Sequence, residues 1–271
     1  MANSAQAQMK DELGEGFEDL DWKKLDPRQY DPRRIIREAL LEEEKPAVKH
    51  SDLNQVKVRK QANLTPLLAG MLACYGFTVL VQGVEKDSTR VTSHEIFKSL
   101  DWPILNSKNE FGTLLSSNQP IFCPLNVISP ALQRLLDIRE QIGLRNTGHV
   151  LAKLINPTLQ NPWQVSNYTH PEYPEKLREF FQLRSANAIL MRGSEGEPTA
   201  SLQRLPEMHF LFSSKQESSS PEERFEESNP FSEIDARSTA SITQQILSGQ
   251  VRCPGSILRQ ANQISTMAGL H

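Results

Sequence analysis

Short uncharged runs rich in β-branched residues alternate along this chain with segments that open on proline and close on glycine. That alternation constrains the fold more than any other feature. Thr65-Pro66 opens a helix carrying Leu67, Leu68, Met71, Leu72 and Cys74, and Gly76 ends it. The run FTVLVQGV at 77–84 follows, uncharged and β-branched, as a buried strand does. Helical patterning predicts further helices over 92–100, 131–142 (opened by Ser129-Pro130 and ended by Gly143), 146–154, 171–183, 238–247 and 255–268. It predicts strands over 120–124 (PIFCP), 188–191 and 209–212. Upstream, Asp31 as N-cap and Pro32 at the first helical position open a helix that Pro46 ends. A short strand is expected over 47–49. Helices alternating with short apolar strands predict an α/β fold with a mostly parallel central sheet flanked by helices. No fixed-period repeat is present.

Composition narrows the function class. The 271 residues are enough to bury a core without staples. Lys and Arg number 30 against 33 Asp and Glu, a net charge of −3, so any basic footprint must be local. Three cysteines, at 74, 123 and 253, fit neither a disulfide framework nor a CxxC knuckle. The most apolar stretch, 67–84, is broken by Gly70, Tyr75, Gly76 and Thr78, and a span needs about 20 apolar residues. No membrane partner is expected. The first 22 residues are acidic with no apolar h-region, so no secretory signal is read and a cytoplasmic location is expected. Residues 1–30 are expected to be poorly ordered. The Ser/Glu/Pro-rich stretch 213–232 is expected to be a surface loop.

In parallel sheets, ligands sit beyond the C-terminal ends of the strands. The segments to inspect are therefore 82–90, 124–129 and 192–199. In the first, Gly83 permits an open backbone, and Lys86 and Arg90 suit a phosphate. In the third, Gly193 and Gly196 permit close backbone approach. Glu195 and Glu197 are two carboxylates, but their spacing before Pro198 suits Mg²⁺ poorly. Lys57, Arg59 and Lys60 precede a helix N-terminus at Asn63 and Thr65, an arrangement that attracts anions. No aromatic residue interleaves them, so no base-stacking platform is indicated there. The six histidines, at 50, 94, 149, 170, 209 and 271, form no metal-ligand pair. There is no GxSxG, P-loop or GxGxxG. No catalytic residue and no metal ligand is assigned.

The segment 120–156, with IFCPLNVISPALQRLLDIREQIGLRNTGHVLAKLIN, carries a strand, a Pro-containing turn and a long helix. Gly143-Leu144-Arg145-Asn146 and Ile155-Asn156-Pro157 follow that helix. In this order the chain, from about Lys57 to Gly269, resembles the anthranilate phosphoribosyltransferase family. The runs RKQANLTPLLA, GVEKDSTRV and MRGSEGE look like the family's non-biosynthetic branch. The resemblance implies a nucleoside phosphorylase/phosphoribosyltransferase-like fold with a small N-terminal helical subdomain. It also implies a homodimer that binds nucleic acid without sequence preference. On that pattern, 31–46 is a reduced remnant of the helical subdomain and 47–271 the transferase-like α/β domain. The final helix, LRQANQISTMAGLH, is more polar than the family's, which implies weaker packing.

Departures from the family pattern bear on activity. The family's Gly-Thr-Gly-Gly-Asp loop falls on HSDLNQ at 50–55, which has no glycine. Its Lys-His-Gly-Asn segment falls on Val81-Gln82-Gly83-Val84, where both polar ends become valine. Its Mg²⁺-holding Asp-Glu pair falls on Pro198-Thr199, neither of which supplies a carboxylate. Arg90 stands where the transferases carry a phosphate-facing lysine. The expectation is a catalytically silent protein that binds the DNA or RNA backbone, with no cofactor. Its phosphate-binding set is Lys57, Arg59, Lys60, Arg90, Arg145 and Arg192, with cleft loops at Asn63, Thr65, Gly83, Gly193 and Gly196. The alternative is a glycosyl or phosphoribosyl transferase using a pyrophosphorylated sugar donor, with Mg²⁺ held by Glu195 or Glu197. An interaction protein without small-ligand chemistry is the third possibility.

Overall fold

The computed structural model describes residues 61–114, 118–142, 147–158, 160–212, 215–226 and 228–269. All fall in the second of the chain's two compact units, Val56–His271. The acidic segment 1–30 and the helical remnant 31–46 lie outside the described residues. No helix of the described residues is long and apolar enough to cross a membrane.

The first described helix, α1 (Thr65–Cys74), starts with Pro66 in its first turn, as expected. Residues 65–72 are all buried. A helix apolar on every face belongs inside a core. Strand β1 (Leu80–Gly83) follows and pairs in parallel with β2 (Ile121–Pro124), Val81 opposite Phe122. The crossover between them contains α2 (Ser93–Ser99) and α3 (Phe111–Leu114). Thr92 and Glu95 open α2 with a reciprocal capping box, which satisfies two backbone donors at once. After β2 come α4 (Leu125–Ile128), α5 (Pro130–Ile142) and α6 (Gly148–Leu154).

Strand β3 (Gln164–Tyr168), α7 (Tyr173–Leu183) and β4 (Ala188–Arg192) form a second parallel βαβ unit. QVSNY is too polar to signal a strand, and pairing with β4 makes it one. Then follow β5 (Arg204–Leu205), β6 (Met208–Phe212), β7 (Lys215–Ser218) and β8 (Glu222–Glu223). The chain closes with α8 (Ala236–Leu247) and α9 (Gly255–Ala268).

The expected mostly parallel sheet does not form. The larger sheet runs β3-β4-β6-β7, and β6 lies antiparallel to both β4 and β7. A parallel return needs a crossover of a dozen or more residues, usually helical. The segment between β4 and β6 contains no helix, so the chain doubles back. The parallel pair β1-β2 is a separate sheet. Gln82 reaches across from β1, donating from Nε2 to the carbonyls of Ala152 (3.0 Å) and Ile155 (2.9 Å). Gln164 on β3 donates to the same Ile155 carbonyl at 3.3 Å. The stretch at the end of α6 thus ties β1 to β3 through side-chain amides.

Within the stretch expected as a surface loop over 213–232, the described residues form β7 and β8, and Phe231 is buried in the main core. All four residues of β7 are exposed, because an edge strand is held by backbone bonds and buries no side chain. The weaker packing expected of α9 is not found: Ile257, Ala261 and Ile264 are buried in the main core with Leu67, Leu68, Ile189, Met191 and Phe210. Gln260 lies fully buried on the same stripe.

Candidate functional site

Three segments meet at the C-terminal ends of β1 and β4: the loop 84–92, the turn 193–197, and the chain entering α1. Asn63 fixes the last of these. Its Oδ1 accepts from the Thr65 amide at 3.1 Å, and its Nδ2 donates to Ser93 Oγ at 3.1 Å. One buried amide therefore ties the start of α1 to the start of α2.

The turn is shaped by two left-handed residues in succession, Glu195 at φ +49° and Gly196 at φ +90°. That pair is the signature of a tight reversal of type I′. Ser194 and Glu197 close it, with the Glu197 amide donating to the Ser194 carbonyl at 2.9 Å. Gly193 before it is forced by packing. A Cβ there would overlap the Glu197 carbonyl oxygen and the Asn167 side chain, whose Cγ would lie 2.8 Å away. The close approach that glycine permits is thus to the protein's own groups. From behind, Gln260 Nε2 donates to the Pro198 carbonyl (2.9 Å) and its Oε1 accepts from the Ala200 amide (2.8 Å).

Charges link the three segments. Arg90 donates from Nε to Asp87 Oδ2 at 2.8 Å and from Nη1 to Glu197 Oε1 at 3.4 Å. Glu197 Oε2 accepts from Thr65 Oγ1 at 3.1 Å. A carboxylate of the chain itself therefore sits at the N-terminus of α1, where the helix dipole favours an anion. Glu195 Oε2 accepts from the Gln61 amide at 3.5 Å, and Ser194 Oγ donates to Gln61 Oε1 at 3.4 Å. Asp87 is partly buried, which pushes its carboxyl up, but bonds from Thr89 and the Arg90 charge outweigh burial and hold it below its ordinary value.

The structure thus brings together Asn63, Thr65, Arg90, Gly193 and Gly196 of the residues singled out by sequence. Gly83 stands apart at the end of β1, where a Cβ would make ordinary contact with the Phe122 ring at 3.6 Å. Arg192 ends β4 and is exposed. Lys57, Arg59, Lys60 and Arg145 lie outside the described residues. Asp87, Asn167 and Gln260 escaped the sequence reading. A signal for Gln260 exists: it interrupts the apolar stripe Ile257, Ala261, Ile264 at helical spacing.

A divalent cation has no suitable donor set here. Pro198 and Thr199 turn inward, their carbonyls engaged by Gln260 and the Ser194 amide. Glu195 and Glu197 are already engaged by Gln61, Thr65 and Arg90. Among the described residues no group of three His, Cys, Asp or Glu side chains is placed to hold a metal.

No family model matches the chain. In sequence it is 39% identical over 154 residues to YbiB of Escherichia coli K12, an uncharacterised protein. That match takes in 56% of this chain and 48% of YbiB, so the chain spans about half the length of this curated relative. In structure it is similar to anthranilate phosphoribosyltransferase from Thermus thermophilus, with a TM-score of 0.62 and 20% identity. That likeness covers 78% of this chain and 65% of the other. The anthranilate phosphoribosyltransferase of Saccharomyces cerevisiae, described in complex with PRPP and Mg, gives a TM-score of 0.51 at 13% identity, over 71% and 53% of the two chains. The chain thus has the anthranilate phosphoribosyltransferase fold, and YbiB is a relative of it in sequence.

Proposed function

We propose that this protein is a catalytically silent member of the transferase fold that binds nucleic acid without sequence preference, through the phosphate backbone. The observation that carries this is the clamp of Arg90 between Asp87 and Glu197, with Glu197 seated on Thr65 at the start of α1. A donor phosphate would have to displace that carboxylate. Positive charge remains available elsewhere. Arg192 and Arg178 make no ion pair among the described residues, and Arg192 is exposed at the C-terminal end of the inner strand β4. Lys57, Arg59 and Lys60 add cations close in sequence to α1. The homodimer belongs to the same proposal, and sedimentation equilibrium checks it.

The test is a salt titration of binding to fluorescent oligonucleotides. Affinity is expected to fall steeply between about 50 and 200 mM salt, as phosphate neutralisation releases counterions. No binding at low salt sinks the proposal. A second reading is favoured by the fold likeness to an enzyme described with PRPP and Mg: a transferase for a pyrophosphorylated sugar donor. It requires Glu197 to leave Arg90 and Thr65. Turnover of phosphoribosyl pyrophosphate with Mg²⁺, abolished by Glu195→Ala or Glu197→Ala, would establish it.

A further inference from the structure

Helix α9 carries more polar residues than its docking into the core requires. Ile257, Ala261 and Ile264 bury one stripe, and beside that stripe α9 lines a cavity of about 290 Å³ together with β6 and β7. Phe210 on β6 and Met267 on α9 supply apolar lining. Glu217 on β7 is the register partner of Phe210, so the two project to the same side of the sheet. The wall on the β7 side is pinned to β6. Ser218 Oγ lies 2.8 Å from His209 Nδ1, and Ser219 Oγ accepts from the Met208 amide at 3.2 Å. Gln263 lines the cavity from α9, and its Oε1 is buried with no hydrogen-bond donor. A buried acceptor in that state is costly, and a ligand N–H or O–H would satisfy it.

Charge selects among such ligands. Two acidic side chains, Glu217 and Glu222, stand against one basic one, Arg259. Arg259 Nε is 3.3 Å from Glu222 Oε1, so that pair neutralises itself. Glu217 is exposed and makes no ion pair among the described residues. The balance favours a cation and repels a phosphate or carboxylate. The volume stands at the small end of the range for ligand cavities, about 300–1,000 Å³, which limits the ligand to a small molecule. We propose that this cavity binds a small primary amine with an apolar body. Its ammonium group donates to Gln263 Oε1 and faces the Glu217 carboxylate, and its carbon skeleton lies against Phe210 and Met267. None of these residues belongs to the phosphate-binding set, so the inference stands or falls apart from the nucleic-acid reading.

The experiment is calorimetric titration of the full chain at low salt with three probes of similar shape: 2-phenylethylamine, 2-phenylethanol and phenylacetate. The amine is expected to bind saturably, about three- to fivefold tighter than the alcohol, the range for one exposed ion pair. Phenylacetate is expected to bind more weakly than either. Glu217→Gln brings the amine down to the affinity of the alcohol and leaves the alcohol unchanged. Arg259→Gln, which releases Glu222, tightens the amine. Gln263→Leu weakens amine and alcohol alike by about tenfold, because both donate to Oε1. General damage to the fold does not move one probe without the other, nor raise affinity in one variant while lowering it in the next. Equal binding of amine and carboxylate, an amine affinity unmoved by Glu217→Gln, or no saturable binding of the amine overturns the inference.

Discussion

At the residue scale, Gly193 and His209 are decided by what surrounds them. Gly193→Ala drives a methyl into Asn167 and the Glu197 carbonyl. Overpacking of this kind costs about 1–3 kcal/mol, and urea unfolding is expected to show a loss of that size or larger. The glycine was legible in sequence, but as room for a ligand. Its real neighbour, Asn167, belongs to a strand that the polar run QVSNY conceals. His209 is nearly buried, with Nδ1 2.8 Å from Ser218 Oγ. Burial lowers its pKa, Arg178 adds to that, and Glu207 opposes it. A folded value below the unfolded one means that the unfolded chain takes up the proton first. Stability is therefore full above about pH 6.5 and falls as pH drops through the histidine range. His209→Gln is expected to flatten that limb of a stability–pH curve and to leave the Asp87 contribution, which is lost only below the ordinary aspartate range, intact.

At the element scale, punctuation carried most of the information. Thr65-Pro66 at the start of α1 and Thr92 before α2 mark real helix starts, because capping and proline geometry are local. Partnership between elements is not local. Gln260 reads as a polar blemish in α9, and only the docked segment 198–200 explains it. Gln260→Leu leaves the Ala200 amide and the Pro198 carbonyl without their partner, a loss of about 1–3 kcal/mol. Faster hydrogen exchange across 194–200 is expected to accompany it, with α9 itself unchanged. If exchange rises equally throughout the chain, Gln260 is merely core and does not hold the turn.

At the scale of the whole molecule, a net charge of −3 makes the placement of charge matter more than its amount. Arg90 looked in sequence like a phosphate ligand, and the fold places Asp87 and Glu197 on it. Replacing Arg178 and Arg192 together by Gln is expected to lower the salt slope of oligonucleotide binding by about 2. Arg90→Gln is expected to leave that slope unchanged and to destabilise the chain instead. A slope that responds to Arg90 and not to the pair would return Arg90 to the binding surface. The sequence by itself determined where helices begin, which runs are buried, and that the fold class is α/β, since capping, chain stiffness and hydrophobic period act over a few residues. The tertiary structure alone decided that the sheet is mixed, that a carboxylate fills the start of α1, and that Arg90 is held by two carboxylates. Those outcomes depend on groups more than a hundred residues apart, such as Arg90 and Glu197, and no local pattern records such a distance.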